Sequence, residues 1–211
     1  MTGAQALTML MARLSRSTTT LRANALLEMN QYQIDLEKGA VLPDFLIVRD
    51  TSITLTAGNR LFTLPASFLR ELDEDETLWI IDADGLYQPM EKVDYEDTQA
   101  QFDSDDTSEL PLYYTLQGLY GYTFPIPSVN RTLKMSYYAV GTAITDASVE
   151  NVWLKHASDL LIAGTGTIMT ALYVKDTEAA LAFAAMEARA KKRLLDEQTA
   201  RQEAGRSRRM G

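Results

Sequence analysis

The spacing of apolar residues predicts helices at the amino end of the chain. Two series recur three or four positions apart: Leu7, Leu10, Met11 and Leu14, then Leu21, Ala25, Met29, Tyr32 and Leu36. Gly39 is suited to end the second helix, and Pro43 cannot continue it. We therefore expect two helices within residues 1–40.

The pattern then changes to short alternating runs rich in tyrosine and β-branched residues, which favour strands. Ala57-Gly58-Asn59-Arg60 and Ala83-Asp84-Gly85 predict hairpin turns. The clearest strands are expected at residues 78–82, 86–93, 112–117, 120–125 and 133–140. A short helical turn is expected at 65–71, and a short helix capped by Asp94 at 94–102.

Helical spacing returns near residue 150 and continues towards the carboxyl end. One stripe contains Trp153, Ala157, Leu160, Leu161, Gly164, Ile168 and Leu172, and a second contains Leu181, Ala184, Ala185, Ala188 and Leu195. Asp176 or Thr177 is expected to cap the last helix. After Leu195 the sequence is polar nearly all round, so this segment should either fray or dock on a partner.

Together these patterns predict an α+β fold with a discontinuous organisation. Residues 1–40 and 150–211 would form a helical bundle with a carboxyl-terminal extension, and residues 41–149 would form an inserted, antiparallel β-rich domain. A chain of 211 residues, 46% of them hydrophobic, is long enough to bury a substantial core.

The composition excludes several kinds of chemistry. There is no cysteine, which rules out disulfides, thiolate metal sites and thiol nucleophiles, and His156 is the single histidine. We predict no catalytic residue, cofactor or metal site. The longest purely apolar run, residues 179–186, is far shorter than the roughly 20 residues that span a bilayer, so no membrane segment is predicted.

Charge is distributed unevenly. Residues 71–109 contain fifteen acids and one base, Lys92, whereas the whole chain has a net charge of -9. The remainder is therefore mildly basic. An acidic middle disfavours binding to nucleic acid by the chain as a whole.

Four features suggest binding or catalysis, and each has a structural explanation that we prefer. Residues 163–167, Ala-Gly-Thr-Gly-Thr, lack the lysine of a phosphate-binding loop and suit close helix packing. Asp103, Asp105 and Asp106 lack the spacing of a calcium loop. The paired tyrosines in the strands suit sheet packing, and His156 suits a surface or capping role.

The order of several motifs resembles the head–tail connector, or portal adaptor, proteins of short-tailed phages. The motifs include a Leu-Pro-x-x-Phe segment at 64–68, Leu112-Tyr113-Tyr114, and Phe124-Pro125-Ile126-Pro127. Asn151-Val152-Trp153-Leu154 and residues 159–164 and 171–176 resemble the closing helices of the family. The resemblance extends from about Leu21 to Leu195.

This resemblance implies a non-enzymatic structural role in the virion, at the head–tail junction, after assembly in the host cytoplasm. Copies of the chain, twelve in the family, would form a ring under the portal protein and extend the DNA channel. The DNA would pass through without sequence-specific binding. The β-rich insertion would face the tail nozzle or tube protein. We further hypothesise that part of the acidic middle faces the channel lumen or the next tail protein, because like charges let DNA slide without binding.

The carboxyl-terminal extension would contact the portal protein. Its arginines, Arg201, Arg206, Arg208 and Arg209, are the candidate partner-binding residues, because guanidinium groups pair with acidic surfaces. Two alternatives from other classes stay open at this point. One is a virion-associated cell-wall hydrolase that uses a pair of carboxylates, and the other is an assembly chaperone or scaffold.

Overall fold

The computed structural model describes residues 1–72, 77–102, 106–147 and 149–209, without the side chains of residues 99, 100 and 201–209. The chain forms two compact units. The first, here called the helical unit, comprises Met1–Leu46 and Gly141–Gly211, and the second, the β unit, comprises Ile47–Val140. Helices lie at both ends and an antiparallel-rich β region lies between them, which confirms the predicted α+β class.

The α-helices of the described ranges are α1 (Gly3–Arg13), α2 (Thr19–Glu37), α3 (Tyr95–Gln101), α4 (Val152–His156), α5 (Ser158–Met169) and α6 (Thr177–Arg209). A π-helix, Thr170–Val174, follows α5, and a 3-10 turn, Asp44–Leu46, follows α2. Short polar side chains begin several helices: Thr18 accepts from Leu21 N at 3.1 Å, and Asn151 accepts from Trp153 N at 2.8 Å.

Helix α5 is the centre of the helical unit. It packs against α1, α2, α4 and α6, and Leu160–Ala163 are all buried. Its glycines allow close approach: a Cβ on Gly164 would lie 2.1 Å from the Tyr32 ring, and one on Gly166 would lie 2.3 Å from the Phe183 ring. The prediction that residues 163–167 serve helix packing is confirmed.

Two details of the predicted carboxyl-terminal helices are wrong. The first stripe is not one helix, because the backbone leaves helical geometry at Ala157, between α4 and α5, and Leu172 is exposed. Between residues 177 and 200 of α6, where the side chains are described, the buried residues are Phe183, Ala190 and Gln198, whereas Leu181 and Leu195 of the predicted stripe are exposed. A helix with apolar residues on two faces does not itself determine which face is buried.

The strands of the β unit are β1 (Ile47–Leu55), β2 (Leu61–Thr63), β3 (Phe68–Glu71), β4 (Leu78–Ile81), β5 (Tyr87–Pro89), β6 (Glu91–Lys92), β7 (Thr107–Ser108), β8 (Tyr113–Gln117), β9 (Tyr120–Phe124), β10 (Ile126–Pro127) and β11 (Arg131–Ala139). Strand β11 is central to one sheet: it pairs antiparallel with β1 on one side and with β3 and β4 on the other. The second sheet has the order β2-β9-β8-β6.

The β unit has its own apolar core. Fully buried residues from different strands meet in it, including Leu55, Ile80, Tyr114, Leu133 and Met135. Burial alternates along β4 and along most of β11, which places Ile80, Leu133 and Met135 on the core side, as the period of two requires.

The expectation of a helical turn across 65–71 is wrong in its second half. Only the turn closed by the Phe68 N to Pro65 O hydrogen bond, at 2.9 Å, matches it. Residues 68–71 form β3 because they pair with β11, and a non-local ladder outweighs a weak local preference. The predicted helix capped by Asp94 is confirmed as α3.

Candidate partner-binding surface

The candidate arginines lie at the end of α6, which is helical through Arg209. Residues 201–209 contain four arginines and one acid, Glu203, so this end of the helix has a formal charge of +3. Cations near a helix carboxyl end are also favoured by the helix dipole, which gives these arginines a purely structural role as well.

Helix α6 is fixed at its start by Asp176, whose carboxylate accepts from Ala179 N at 3.0 Å. One turn later, Phe183 packs over Gly166 of α5. Phe183 does not belong to the predicted apolar stripe of α6. The side of α6 that contains it is nevertheless the side that packs on α5 and holds this helix in the unit.

A polar cluster then joins α6 to α2 and α5. Tyr32 donates to Glu187 Oε1 at 2.7 Å, Thr167 donates to its Oε2 at 3.3 Å, and Lys191 Nζ lies 2.6 Å from Oε1. Burial by itself would raise the pKa of Glu187, but the hydrogen bonds from Lys191 and Tyr32 outweigh it and hold the pKa below its ordinary value. Burial, and then the bond to this carboxylate, raises the pKa of Tyr32.

Two further contacts hold α6 along its length. Arg193 pairs with Asp159 of α5, and the buried side chain of Gln198 donates to Leu42 O at 2.6 Å. From Gln198 to Arg209 the helix continues for eleven residues, about 16 Å at 1.5 Å per residue. The first arginine of the basic segment, Arg201, thus follows three residues after the anchoring contact of Gln198.

Beside these contacts, α2 and α6 border an open groove of about 300 Å³. Its lining is mainly apolar and includes Leu36, Val41, Trp153, Leu160 and Leu194. The groove lies within the helical unit, next to the last anchored turn of α6.

A buried carboxylate, Glu37 at the end of α2, organises the chain where it re-enters the helical unit. Its Oε1 accepts from Trp153 Nε1 at 2.7 Å, from Gly141 N at 3.0 Å and from Gln33 Nε2 at 3.0 Å. Asn151 Nδ2 donates in turn to Gln33 Oε1 at 3.1 Å. These bonds position α2 against α4, and nothing in them requires a reactive role.

The single histidine lies on the surface. His156 is exposed in the last turn of α4, and its ring stacks on Phe45 at 5.0 Å with an interplanar angle of 13°. The preferred surface role of this residue agrees with its position.

The acidic middle is largely solvated where it is described. Glu91, Asp94, Glu96 and Asp97 are exposed, and Asp106 is exposed too, whereas Asp103 and Asp105 lie outside the described residues. No group of three potential metal ligands occurs among the described residues.

The strand tyrosines serve mainly as packing residues. Tyr114 and Tyr137 are buried in the β core, and Tyr95 lies edge-on to Tyr122 at 5.2 Å. Of the tyrosines considered for a binding platform, Tyr120 is exposed at the β8–β9 turn.

The sequence patterns missed the polar residues that fasten α2, above all Gln33 and Glu37. Tyr32 was expected in the apolar stripe of this helix, but its hydrogen bond to Glu187 was not predicted. The available signal was a set of polar residues on the buried side of an amphipathic helix, at Gln33 and Glu37, four residues apart. The exposed apolar residues of α2, Leu27 and Ile34, were also missed, because they interrupt an otherwise polar face.

Comparisons with known proteins agree with the motif order. The family model described as SU10 adaptor protein matches residues 1–211, and a search of curated proteins finds no match. No helix among the described residues is long and apolar enough to cross a membrane. The chain belongs to the SU10 adaptor protein family, a family of phage adaptor proteins, which confirms the resemblance and implies a structural role in the virion.

Proposed function

We propose that this adaptor docks as a ring of copies beneath the portal protein, at the head–tail junction, and contacts the portal through the end of α6. In that position it extends the DNA channel and provides the platform for the tail nozzle or tube protein. The ring would have twelve copies. The full-length family match supports the adaptor role, and the basic end of α6 supports the site of portal contact.

The observation that best supports the contact is the division of α6 into two parts. Up to Gln198 the helix is fastened to α2, α5 and the loop after α2. Beyond Gln198 the sequence is strongly basic and contains Arg201, Arg206, Arg208 and Arg209. A helix extended from a fixed base can present guanidinium groups to an acidic groove with little further ordering cost.

The acidic residues of the β unit fit a channel through which DNA passes without binding. Exposed carboxylates such as Glu91, Glu96 and Asp97 would repel the phosphate backbone. We propose that part of this acidic surface faces the lumen or the next tail protein.

The test is sedimentation of the full chain with the portal ring of the same phage. Arg208→Glu with Arg209→Glu should weaken co-sedimentation at least tenfold, because two favourable charge contacts become repulsive. Arg13→Glu with Arg16→Glu, at exposed positions, makes the same charge change and should have no effect. Wild-type binding should also weaken as salt is raised.

A second variant separates portal binding from helix stability. Arg208→Gln with Arg209→Gln keeps good helix formers at both positions but removes the charges. Weakened co-sedimentation with unchanged helical circular dichroism supports a portal contact. Portal affinity equal to wild type in both arginine variants would overturn the proposed site, and absence of wild-type binding would overturn portal docking itself.

A further inference from the structure

Helix α2 exposes apolar side chains on a solvent-facing surface. Leu27 is 69% exposed and Ile34 is 43% exposed, and they are seven residues apart, which places them two turns apart on one side of the helix. Tyr173 lies beside this surface, because its hydroxyl donates to Glu28 Oε1 at 2.7 Å. We call Leu27 and Ile34 the α2 face.

Helix α6 has a longer exposed apolar stripe, on a different side of the helix from the buried Phe183. Leu181 is 69% exposed and Leu195 is 48% exposed, and the exposed Ala185 and Ala188 lie between them at helical spacing. We call these four residues the α6 face. Single exposed leucines are ordinary, but these four apolar positions share one side of the helix over fifteen residues, with the exposed Lys192 between Ala188 and Leu195 on the same side.

We propose that these two faces form one interface, in which the α2 face of one copy of the chain packs on the α6 face of the next copy. The inference rests on the proposed ring and names the surface through which neighbouring copies join. The alanines allow a second helix to approach α6 closely, and the leucines of both faces become buried.

The charges beside the two faces favour this pairing. Glu28 and Asp35 directly follow Leu27 and Ile34 on α2. On α6, Arg189 borders the α6 face and Lys192 lies within it, between Ala188 and Leu195. On α2, Lys38 Nζ lies 3.7 Å from Asp35 Oδ1. On α6, Glu178 and Asp196 lie towards the two ends of the α6 face. The central charges are thus acidic on α2 and basic on α6.

The same charges disfavour pairing of like faces across a twofold axis. An α6 face against another α6 face would bring Arg189 and Lys192 towards their own copies, and like charges at an interface are costly. Pairing of two different faces builds a ring when each copy contacts two different neighbours, because such heterologous contacts repeat until the rotation closes. A twofold dimer also pairs the α2 face of each copy with the α6 face of the other, but its chains cross-link only in pairs, so a ladder of larger oligomers distinguishes the ring. The occupant that fits both faces is therefore a second copy of this chain.

The absence of native cysteine allows a direct test by disulfide cross-linking. Full-length chains with two substitutions are prepared, Leu27→Cys or Ile34→Cys combined with Leu181→Cys or Leu195→Cys. They are oxidised both on the portal ring and free at high concentration. At least one combination should give a ladder of covalent oligomers on a denaturing gel, because each copy links to two neighbours.

Matched controls define the geometry. An equimolar mixture of the two corresponding single variants should give dimers but no ladder, as expected when each chain has one reactive face. Leu119→Cys paired with Leu181→Cys uses an exposed leucine of the β unit and should give no ladder. Monomer bands from all four face combinations, in the free and the portal-bound samples, would overturn the interface.

A non-covalent measurement keeps this inference separate from portal docking. Leu181→Glu should reduce the number of copies bound per portal at saturation by at least half, whereas Leu119→Glu should leave it unchanged. Full occupancy with Leu181→Glu would contradict the interface while leaving the proposed function intact. Failure of wild-type chain to bind the portal would contradict docking, and the ladder from the free chain would still decide the interface.

Discussion

The two units of this protein differ in how their parts are joined. The β unit is one continuous segment, and its central strand β11 is joined to β1, β3 and β4 by backbone ladders. The helical unit is assembled from two segments separated by that insertion, and its helices satisfy their own backbone groups internally. Besides one backbone bridge, between Thr2 and Glu150, the described links that align the two segments involve side chains.

Helix α2 supplies most of these alignments. Along its length, six side chains reach the second segment of the unit: Arg22 bonds to Asp146, Glu28 to Tyr173, Asn30 to Ile144, Tyr32 to Glu187, Gln33 to Gly141 and Glu37 to Trp153. A discontinuous helical unit therefore depends on specific polar side chains for its register. In the β unit, the backbone ladders and an apolar core set the register instead.

The largest expected effect comes from Trp153, which is buried in the helical unit and bonded to Glu37. Trp153→Ala should destabilise this unit by about 4 kcal/mol, since it leaves a cavity and removes a hydrogen bond. Hydrogen exchange should show loss of protection in α2, α4 and α5. The remaining tryptophan, Trp79 of β4, reports the β unit and should keep its unfolding midpoint.

Met135→Ala, in the core of the β unit, is the reciprocal control and should destabilise the strands by about 3 kcal/mol while sparing α5. Equal loss of hydrogen-exchange protection in both units after either substitution would contradict separate stabilisation of the two units. In that case the chain would unfold as one cooperative body.

The next effect concerns the buried carboxylate of α2. Glu37→Leu should destabilise the helical unit by about 3 kcal/mol, because the Trp153 and Gly141 N–H groups lose their acceptor in a buried site. Gln31→Leu, at an exposed position of the same helix, should change stability by less than about 0.5 kcal/mol. Denaturant melts followed by circular dichroism measure both, and a neutral Glu37→Leu would show that packing alone aligns the segments.

A smaller effect is expected where α5 meets α2. Gly164→Ala would normally favour a helix by about 1 kcal/mol, but the new methyl group would overlap the Tyr32 ring. A net loss of about 2 kcal/mol is expected from overpacking. The control is Thr199→Ala, at an exposed position of α6, which raises helix propensity without a steric clash and should not lower the free energy of unfolding. If Gly164→Ala stabilised the protein as well, close packing against Tyr32 would be refuted.

The smallest effect is the pH dependence that Glu187 contributes. Its folded pKa is lowered below the ordinary value near 4.5, so its stabilising contribution is present above that value and is lost as the pH falls through the folded pKa. Because Lys191 is exposed, the contribution should be below about 1 kcal/mol. Glu187→Gln should flatten the stability profile below pH 4.5, and an unchanged acid limb would assign the titration to other carboxylates.

The candidate site was predictable only in part. Clustered arginines in a polar carboxyl-terminal segment are visible in the sequence, so Arg201, Arg206, Arg208 and Arg209 could be proposed from it alone. Their contact with a portal protein stays a proposal. The α2 and α6 faces could not be assigned from the sequence, because exposure of Leu27 and Leu181 depends on which side of each helix meets α5.

Local sequence patterns were sufficient to predict the α+β class, the helical ends and the β-rich middle, because the period of apolar residues is a local property of each segment. They also predicted the close packing at Gly164 and Gly166, since a run of small residues lets a neighbouring helix approach closely. The strand at residues 68–71, and the burial of Phe183 rather than Leu181, could be seen only in the folded chain. Both outcomes depend on partners distant in the chain, β11 and α5, whose pairing and packing outweigh local preference.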